Sequence, residues 1–318
     1  MLSVAGPATA GGPGAPTDTE SEVTPVGVVP HPSPEASPVA PTCRAAVLGS
    51  PIEHSLSPAL HEAAYAALGL REWAYDRFAV GGAGEPDLPS FLAGCGPEWV
   101  GFSVTMPLKE AALAAGVAAS AHARDVGAAN TLVRAEDGWY ADSTDAAGLL
   151  EALLEAGVAD PRRVLVLGAG ATARSAADAT ARLGARELSF AVRRAPRPQT
   201  LDFARRRGLD VGVVRLTDAA DLVRALCDAD VVVSTLPTGT RLGLPRLEPD
   251  RLAGAVLMDV VYGGWPTSLA SWATEAGARV ASGVPMLVHQ AAEQVRLMTG
   301  HTPPVDAMRR AVAHVPGA

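Results

Sequence analysis

Lysine is all but absent from this chain: of the 26 basic residues, 25 are Arg and one is Lys, at position 109. Wherever a surface cation suffices, the chain uses arginine, so a lone lysine points to a position where a guanidinium does not serve. An ammonium can give up a proton during chemistry, whereas a guanidinium, with its very high pKa, effectively cannot. Usage alone is open to accident, but it makes Lys109 a candidate catalytic residue. Cysteine is scarce too: Cys43, Cys95 and Cys227 are scattered and odd in number. They fit no metal or redox spacing and suit a reducing cytoplasm, the expected localisation. Charged residues make up only 19% and the net charge is −8. That balance excludes a nucleic-acid partner, which needs clustered positive charge. No apolar run approaches the ~20 residues that span a bilayer, so no membrane partner is expected. His54 and His61 could share a helix neighbourhood, but no carboxylate–histidine ligand spacing accompanies them, and no metal site is expected.

What is present is a large apolar fraction, 48% of 318 residues, enough for a sizeable core and, as a prior on length, two domains. Residues 1–42 stand apart. They are rich in Pro, Gly, Ala, Ser and Thr and hold no aromatic residue, no Lys and no Arg. Such a segment buries little apolar area and is expected to be disordered. Without a positive n-region it is no secretory signal, and without Arg it is a poor transit peptide.

From residue 44 onward, short apolar runs alternate with helical patterns. Strands are expected over 44–49, 73–79 and 100–104, with a helix over 57–70 that has Pro58 in its first turn. Pro107 is expected to open a helix carrying Lys109. Strand pieces over 128–133 and 139–141 flank a turn at Asp137-Gly138, and a helix over 144–156 can end at Gly157. A second unit starts near Asp160-Pro161. Its strands are expected over 163–167, 188–192, 211–214, 231–234, 256–260 and 279–281, followed by closing helices over 286–299 and 305–314. The alternation implies an α/β fold of βαβ units with largely parallel sheets.

The buried run 163–167 leads into Gly168-Ala169-Gly170-Ala171-Thr172-Ala173 and then a helix to Leu183. Small residues let the backbone turn tightly and approach a pyrophosphate, while the helix N-terminus aims free N–H groups at it. In that context the loop reads as a dinucleotide site, with a structural βα turn as the alternative. An NAD site usually has Asp or Glu about 20 residues further on. Here the next strand ends in Arg193-Arg194, with Arg197 close behind and no carboxylate. Arg can clamp a 2′-phosphate through paired hydrogen bonds. NADP is therefore expected over NAD, against the plainer reading of a solvated Arg cluster.

Polar groups also gather where strands end in the first unit: Ser55 and Ser57, Thr105, Asn130 and Thr131, Asp142 and Asp145. Hydroxyls, an amide, an ammonium and a carboxylate suit a small ligand with several hydroxyls and one carboxylate. Each residue alone also has an ordinary structural reading, as an N-cap, a turn residue or a first-turn dipole partner.

Six ordered motifs resemble those of the shikimate dehydrogenase family. They are Gly49-Ser50-Pro51-Ile52-Glu53-His54-Ser55-Leu56-Ser57-Pro58, Ser103-Val104-Thr105-Met106-Pro107-Leu108-Lys109, Ala129-Asn130-Thr131-Leu132, Asp142-Ser143-Thr144-Asp145, the cofactor loop, and Met286-Leu287-Val288-His289-Gln290-Ala291. The resemblance runs from about Arg44 to the C-terminus. It implies two α/β domains with the active site in the cleft between them: 43–147 plus 285–318 for substrate and a Rossmann-like 148–284 for NADP. It implies that Ser55 and Ser57 bind the substrate carboxylate, and that Thr105, Lys109 and Asn130 contact ring hydroxyls. Lys109 and Asp145 would form the catalytic pair, with Tyr262 and Gln290 completing the substrate site. Gly168, Ala169, Gly170, Ala171, Arg193 and Arg194 would hold the cofactor, and Gly283 would border its nicotinamide.

The implied reaction is hydride transfer between NADPH and 3-dehydroshikimate, giving shikimate in the chorismate pathway to aromatic amino acids. The partner is thus a small molecule, and the enzyme itself a monomer or homodimer. Ser143, Ala146 and Ser103 depart from the Asn, Gly and Asn of many members, and Val192-Arg193-Arg194 stands where Asn-Arg-Thr is common. These departures bear on loop geometry more than on the reaction. A quinate or dual quinate/shikimate dehydrogenase shares most of the motifs, and a non-catalytic nucleotide-binding sensor could share the fold. Retention of Lys109 and Asp145 argues against the sensor.

Overall fold

Alternating apolar runs and helical stretches resolve, in a computed structural model that describes residues 42–317, into two six-stranded sheets. The disorder expected of residues 1–42 falls, but for Thr42, outside the described residues.

The first sheet is built from β1 (Cys43–Gly49), β2 (Trp73–Ala79), β3 (Trp99–Val104), β4 (Ala118–Ala119), β5 (Thr131–Ala135) and β6 (Gly138–Asp142). Their order is β2-β1-β3-β5-β6-β4. β1 pairs in parallel with β2 and β3, as does β4 with β6, while β3–β5 and β5–β6 are antiparallel. β1 and β3 are interior strands, and Ala45 to Leu48 and Gly101 to Val104 are buried whichever face they point to. Edge strand β2 is less covered: only Tyr75 is buried, and Arg77 and Ala79 are exposed. On one face Phe102 stacks on Trp99 and meets Phe91 and Trp139 edge-on or tilted. Around this sheet lie α1 (Ser57–Leu68), α2 (Leu88–Ala93), α3 (Lys109–Ala115) and α4 (Ala121–Val126). The chain then leaves through α5 (Asp145–Glu155).

The second sheet holds β7 (Arg163–Leu167), β8 (Glu187–Val192), β9 (Asp210–Arg215), β10 (Val231–Ser234), β11 (Val256–Asp259) and β12 (Arg279–Ala281). All its pairings are parallel, in the order β12-β11-β10-β7-β8-β9. Its strands are linked by α6 (Ala171–Arg182), α7 (Pro198–Arg206), α8 (Ala219–Asp228) and α9 (Ser268–Glu275). This is the doubly wound arrangement in which strand order reverses between β7 and β10, and ligands bind beyond the strand ends at that reversal. The chain returns through α10 (Val284–Thr299), which packs along α5, and closes with α11 (Val305–Ala311) against α1.

The elements differ from the sequence pattern where backbone groups found other partners. The strand expected from residue 128 begins at Thr131. The amides of Ala128 and Ala129 bond the carbonyls of Ala123 (3.2 Å) and Lys109 (2.8 Å) rather than a neighbouring strand. The helix expected at Pro107 starts at Lys109, because Leu108 N closes a turn onto Thr105 O at 2.9 Å. α10 starts earlier than expected, with Pro285 in its first turn. Ala135 pairs with Gly138, so the hairpin turns at Glu136-Asp137. Helices α2 and α4 and strand β4 are short and follow no periodic signal in the sequence.

Candidate active site

Beyond the C-terminal end of β7, Gly168 has φ +110, which glycine adopts without strain. A side chain there would also run into Thr235, whose hydroxyl donates to the Leu167 carbonyl at 2.8 Å. Gly170 is the N-cap of α6, and a Cβ added to it would meet nothing within 4 Å, so the approach to the helix N-terminus is open. The amides of the first helical turn have no intrahelical partners and suit an anion. This end of α6 forms one wall of a cavity of about 950 Å³. Gly168 to Thr172 line one side, Val192, Arg193, Arg194 and Arg197 another, and Thr235 to Pro237 a third. Arg193 and Arg194 are exposed and form no ion pair among the described residues, whereas Arg197 pairs with Glu110 at 2.9 Å. An open glycine turn, a free helix N-terminus and unpaired guanidinium groups beside them fit a dinucleotide that carries an extra phosphate.

A second cavity, of about 610 Å³, adjoins the first: Thr105, Met106, Lys109 and Thr172 line both. Ser55, Ser57, Asn130, Asp145, Tyr262, Gly283 and Gln290 also line it. The expected substrate-site residues, drawn from the first sheet, the loop after β11 and the late helix, therefore face one space. Lys109 is the first residue of α3 and Asp145 the first of α5, and the Lys109 ammonium is ion-paired to Asp145 Oδ2. Asp145 is 4% exposed, so bulk water hardly competes for its oxygens.

Asn130 holds the other side of this pair. Its Nδ2 donates to Asp145 Oδ1 at 2.8 Å and to Gln290 Oε1 at 3.2 Å. Its Oδ1 accepts from the Thr144 amide at 2.8 Å. Thr144 in turn donates its hydroxyl to the Gln290 carbonyl at 3.0 Å, tying α5 to α10. These helices approach closely because Gly148 has no side chain. A Cβ there would stand 2.7 Å from the Met286 carbonyl oxygen and 2.9 Å from the Gln290 nitrogen. Gly283, the N-cap of α10, is needed for the same reason, since a Cβ on it would collide with the Val260 carbonyl.

At the far end, Ser55 and Ser57 sit at the start of α1, with Ser57 N donating to Ser55 Oγ at 3.3 Å. Ser57 is buried and Ser55 half-buried. Tyr262 follows β11, and burial pushes its phenol upward from the ordinary range. Of the departures noted above, Ser143 donates its amide to Asp142 Oδ1 at 2.7 Å, and Ser120 Oγ meets the same oxygen at 2.6 Å, which holds the loop before Asp145. Ala146 is fully buried. Ser103 points into the substrate cavity floor beside Gln294. Thr144, Thr172, Thr235 and Gln294 also belong to the site, though none stands in a pattern that singles it out as a ligand contact. The one readable signal was positional: Gln294 lies four residues after Gln290 and so on the same helix face.

Comparison with known proteins agrees with this geometry. Residues 47–132 match the family described as the shikimate dehydrogenase substrate binding domain, and residues 283–313 the shikimate 5′-dehydrogenase C-terminal domain. The chain is 39% identical over 278 residues to the shikimate dehydrogenase (NADP(+)) of Anaeromyxobacter sp. (strain Fw109-5), covering 84% of this chain and 94% of that one. The crystal structure of Mycobacterium tuberculosis shikimate dehydrogenase superposes with a TM-score of 0.75 at 44% identity, over 85% of this chain and 99% of that one. That of the Thermus thermophilus enzyme in complex with NADP(H) and shikimate gives 0.70 at 33% identity, over 86% and 99%. With such likeness along nearly the whole length of these relatives, the chain belongs to the shikimate dehydrogenase family.

Proposed function

We propose that this protein is an NADP-dependent shikimate dehydrogenase that interconverts 3-dehydroshikimate and shikimate. The observation that carries the reading is the meeting of the two cavities at Lys109, where a nucleotide groove shares a wall with a pocket that presents Ser55, Ser57, Thr105, Asn130, Gln290 and the Asp145 carboxylate.

Gly168, Ala169, Gly170 and Ala171 would hold the pyrophosphate, and Arg193 and Arg194 the 2′-phosphate, by paired charge-assisted hydrogen bonds. NADPH, when bound, supplies the hydride that reduces the ring carbonyl. Lys109 Nζ donates a proton to the carbonyl oxygen as that oxygen gains negative charge, so the carbonyl becomes a hydroxyl and the ammonium a neutral amine. Solvent reprotonates the amine between turnovers. Proton donation of this kind accelerates a step by roughly 10²- to 10⁴-fold. Asp145 Oδ2 holds the ammonium in line. Ser55 and Ser57 offer hydroxyl donors to the substrate carboxylate, while Thr105, Asn130, Tyr262 and Gln290 bond its hydroxyls. Substrate carboxylate at one end and reacting carbonyl at the other orient the ring before chemistry, which lowers the entropic barrier.

This assignment divides the chain into a substrate part (43–147 plus 285–318) and an NADP part (148–284), joined by α5 and α10. Three free cysteines suit a cytoplasmic enzyme, and the active species would be a monomer or homodimer, to be settled by sedimentation. No helix of the described residues is long and apolar enough to cross a membrane. The decisive assay follows NADPH absorbance with shikimate as substrate, run in parallel with quinate and with NAD. Folded protein that reduces no NADP with shikimate would overturn the proposal, and a preference for quinate would move it to the neighbouring substrate.

A further inference from the structure

Behind the Lys109–Asp145 pair, a chain of hydrogen bonds runs through the core in one direction. Tyr75 Oη donates to Ser103 Oγ at 2.6 Å, and Ser103 Oγ donates to Gln294 Oε1 at 2.7 Å. Gln294 Nε2 then donates to Thr131 Oγ1 at 3.1 Å and to the Asn130 carbonyl at 3.0 Å. Thr131 Oγ1 donates to Asn130 Oδ1 at 2.8 Å, and Asn130 Nδ2 donates to Asp145 Oδ1 at 2.8 Å. Gln294 is 1% exposed, Ser103 3% and Thr131 0%, so water does not substitute for any of these partners.

The direction has consequences. An Asn side chain can be turned over, exchanging oxygen and nitrogen at little steric cost. Turned over, Asn130 would set its oxygen against the Asp145 carboxylate and its NH2 against the Thr144 amide. Thr131 opposes this by donating to Oδ1. Thr131 has one hydroxyl proton to give, and it goes to Asn130 Oδ1, while Gln294 Nε2 occupies one of the two lone pairs of the Thr131 oxygen. The Gln294 amide is in turn oriented by Ser103, which gives its proton to Gln294 Oε1 and accepts the Tyr75 hydroxyl on one of its lone pairs. Burial pushes the Tyr75 phenol upward, partly offset by the Ser103 and Ser57 hydroxyls beside it, and that keeps the first donor protonated.

We propose that Gln294 is a positioning residue, which through Thr131 fixes the Asn130 amide with its NH2 toward Asp145 Oδ1 and so leaves Oδ2 for Lys109. A residue that only stitched α10 to β3 would need no consistent direction through six side chains. The inference rests on Lys109 and Asp145 handling the proton, as proposed above.

The test compares wild type, Gln294→Met, Asn130→Ala and the double variant in steady-state oxidation of shikimate. Met keeps the volume and removes both polar atoms. Gln294→Met should lower kcat about tenfold, the worth of one hydrogen bond to a charged group, with KM for NADP unchanged. The double variant should be no slower than Asn130→Ala alone, because Gln294 acts only through Asn130. Full kcat in Gln294→Met, or effects that multiply in the double variant, would overturn the inference. If Gln294→Met does not fold, Ser103→Ala replaces it: it frees the Gln294 amide to rotate, and it should reproduce the kcat loss at unchanged KM for NADP, with undiminished kcat counting against the proposal. Wild-type protein inert toward shikimate would sink the functional reading itself, whereas active wild type with an undiminished Gln294→Met variant sinks only the positioning role.

Discussion

Gly148→Ala separates local propensity from tertiary packing. In the interior of an exposed helix this change stabilises by about 1 kcal/mol, because alanine loses less backbone entropy. Gly148 is not exposed: it faces α10, and the new Cβ would lie 2.7 Å from the Met286 oxygen, 2.8 Å from Gln290 Cβ and 2.9 Å from Gln290 N. Two of these three atoms are backbone, so no rotamer change relieves them. Restoring ordinary contact at 3.4 Å requires α5 and α10 to separate by about 0.7 Å. Overpacking of this kind costs ~1–3 kcal/mol, which outweighs the propensity gain. The net expectation is a loss of up to ~2 kcal/mol, read as a lower urea midpoint at unchanged slope. The same displacement moves Gln290 away from Asn130 and Asp145. Misplacement by about 1 Å can cost 10²-fold in rate, so kcat/KM for shikimate should fall about tenfold or more. KM for NADP should change little, since the nucleotide cavity is lined from other elements. A variant that is more stable than wild type and kinetically normal would refute the packing argument.

Lys109→Ala should reduce turnover by at least about 10²-fold while NADPH still binds, as fluorescence titration would show; near-normal kinetics would remove Lys109 from the chemistry. Lys109→Arg should not restore activity, because a guanidinium does not release its proton. Arg193→Ala should raise KM for NADPH far more than KM for NADH, and equal effects on both would remove the 2′-phosphate argument. His61 is fully buried and stacked on Tyr75 at 4.0 Å, and desolvation lowers its pKa to about 3 from an unfolded value of 6.5. Its neutral form is the one that folds, so its contribution is complete above pH 6.5 and is lost as pH falls from 6.5 toward 3. The loss could reach about 5 kcal/mol at the acid end. Urea midpoints measured from pH 7 to 4 should fall less steeply in His61→Phe than in wild type, and parallel slopes would contradict the assignment.

Much of this molecule was legible before any coordinates. Buried strands in the second sheet read as continuous apolar runs because helices cover both faces, and Gly168-x-Gly170 stood out because only small residues permit that turn. Lys109 stood out by usage alone. Short elements without a full period, such as α2, α4 and β4, left no signal to read. Strand β5 starts later than its sequence pattern implies because Ala128 and Ala129 have strand-like neighbours in sequence but bond to Ala123 and Lys109 in space.

By itself, the amino-acid order determined which groups were available: one ammonium, the carboxylate of Asp145, the hydroxyls of Ser55 and Ser57, and the order of strands that builds a nucleotide site. Only the tertiary structure decided that residues 191 positions apart are hydrogen-bonded within one network, as Ser103 and Gln294 are. Spacing along a chain specifies a helix face or a strand face, but it carries no information on which faces meet. That is settled by close approach, here of α5 and α10 across Gly148, and by burial that lets each polar group keep only the partner it finds inside.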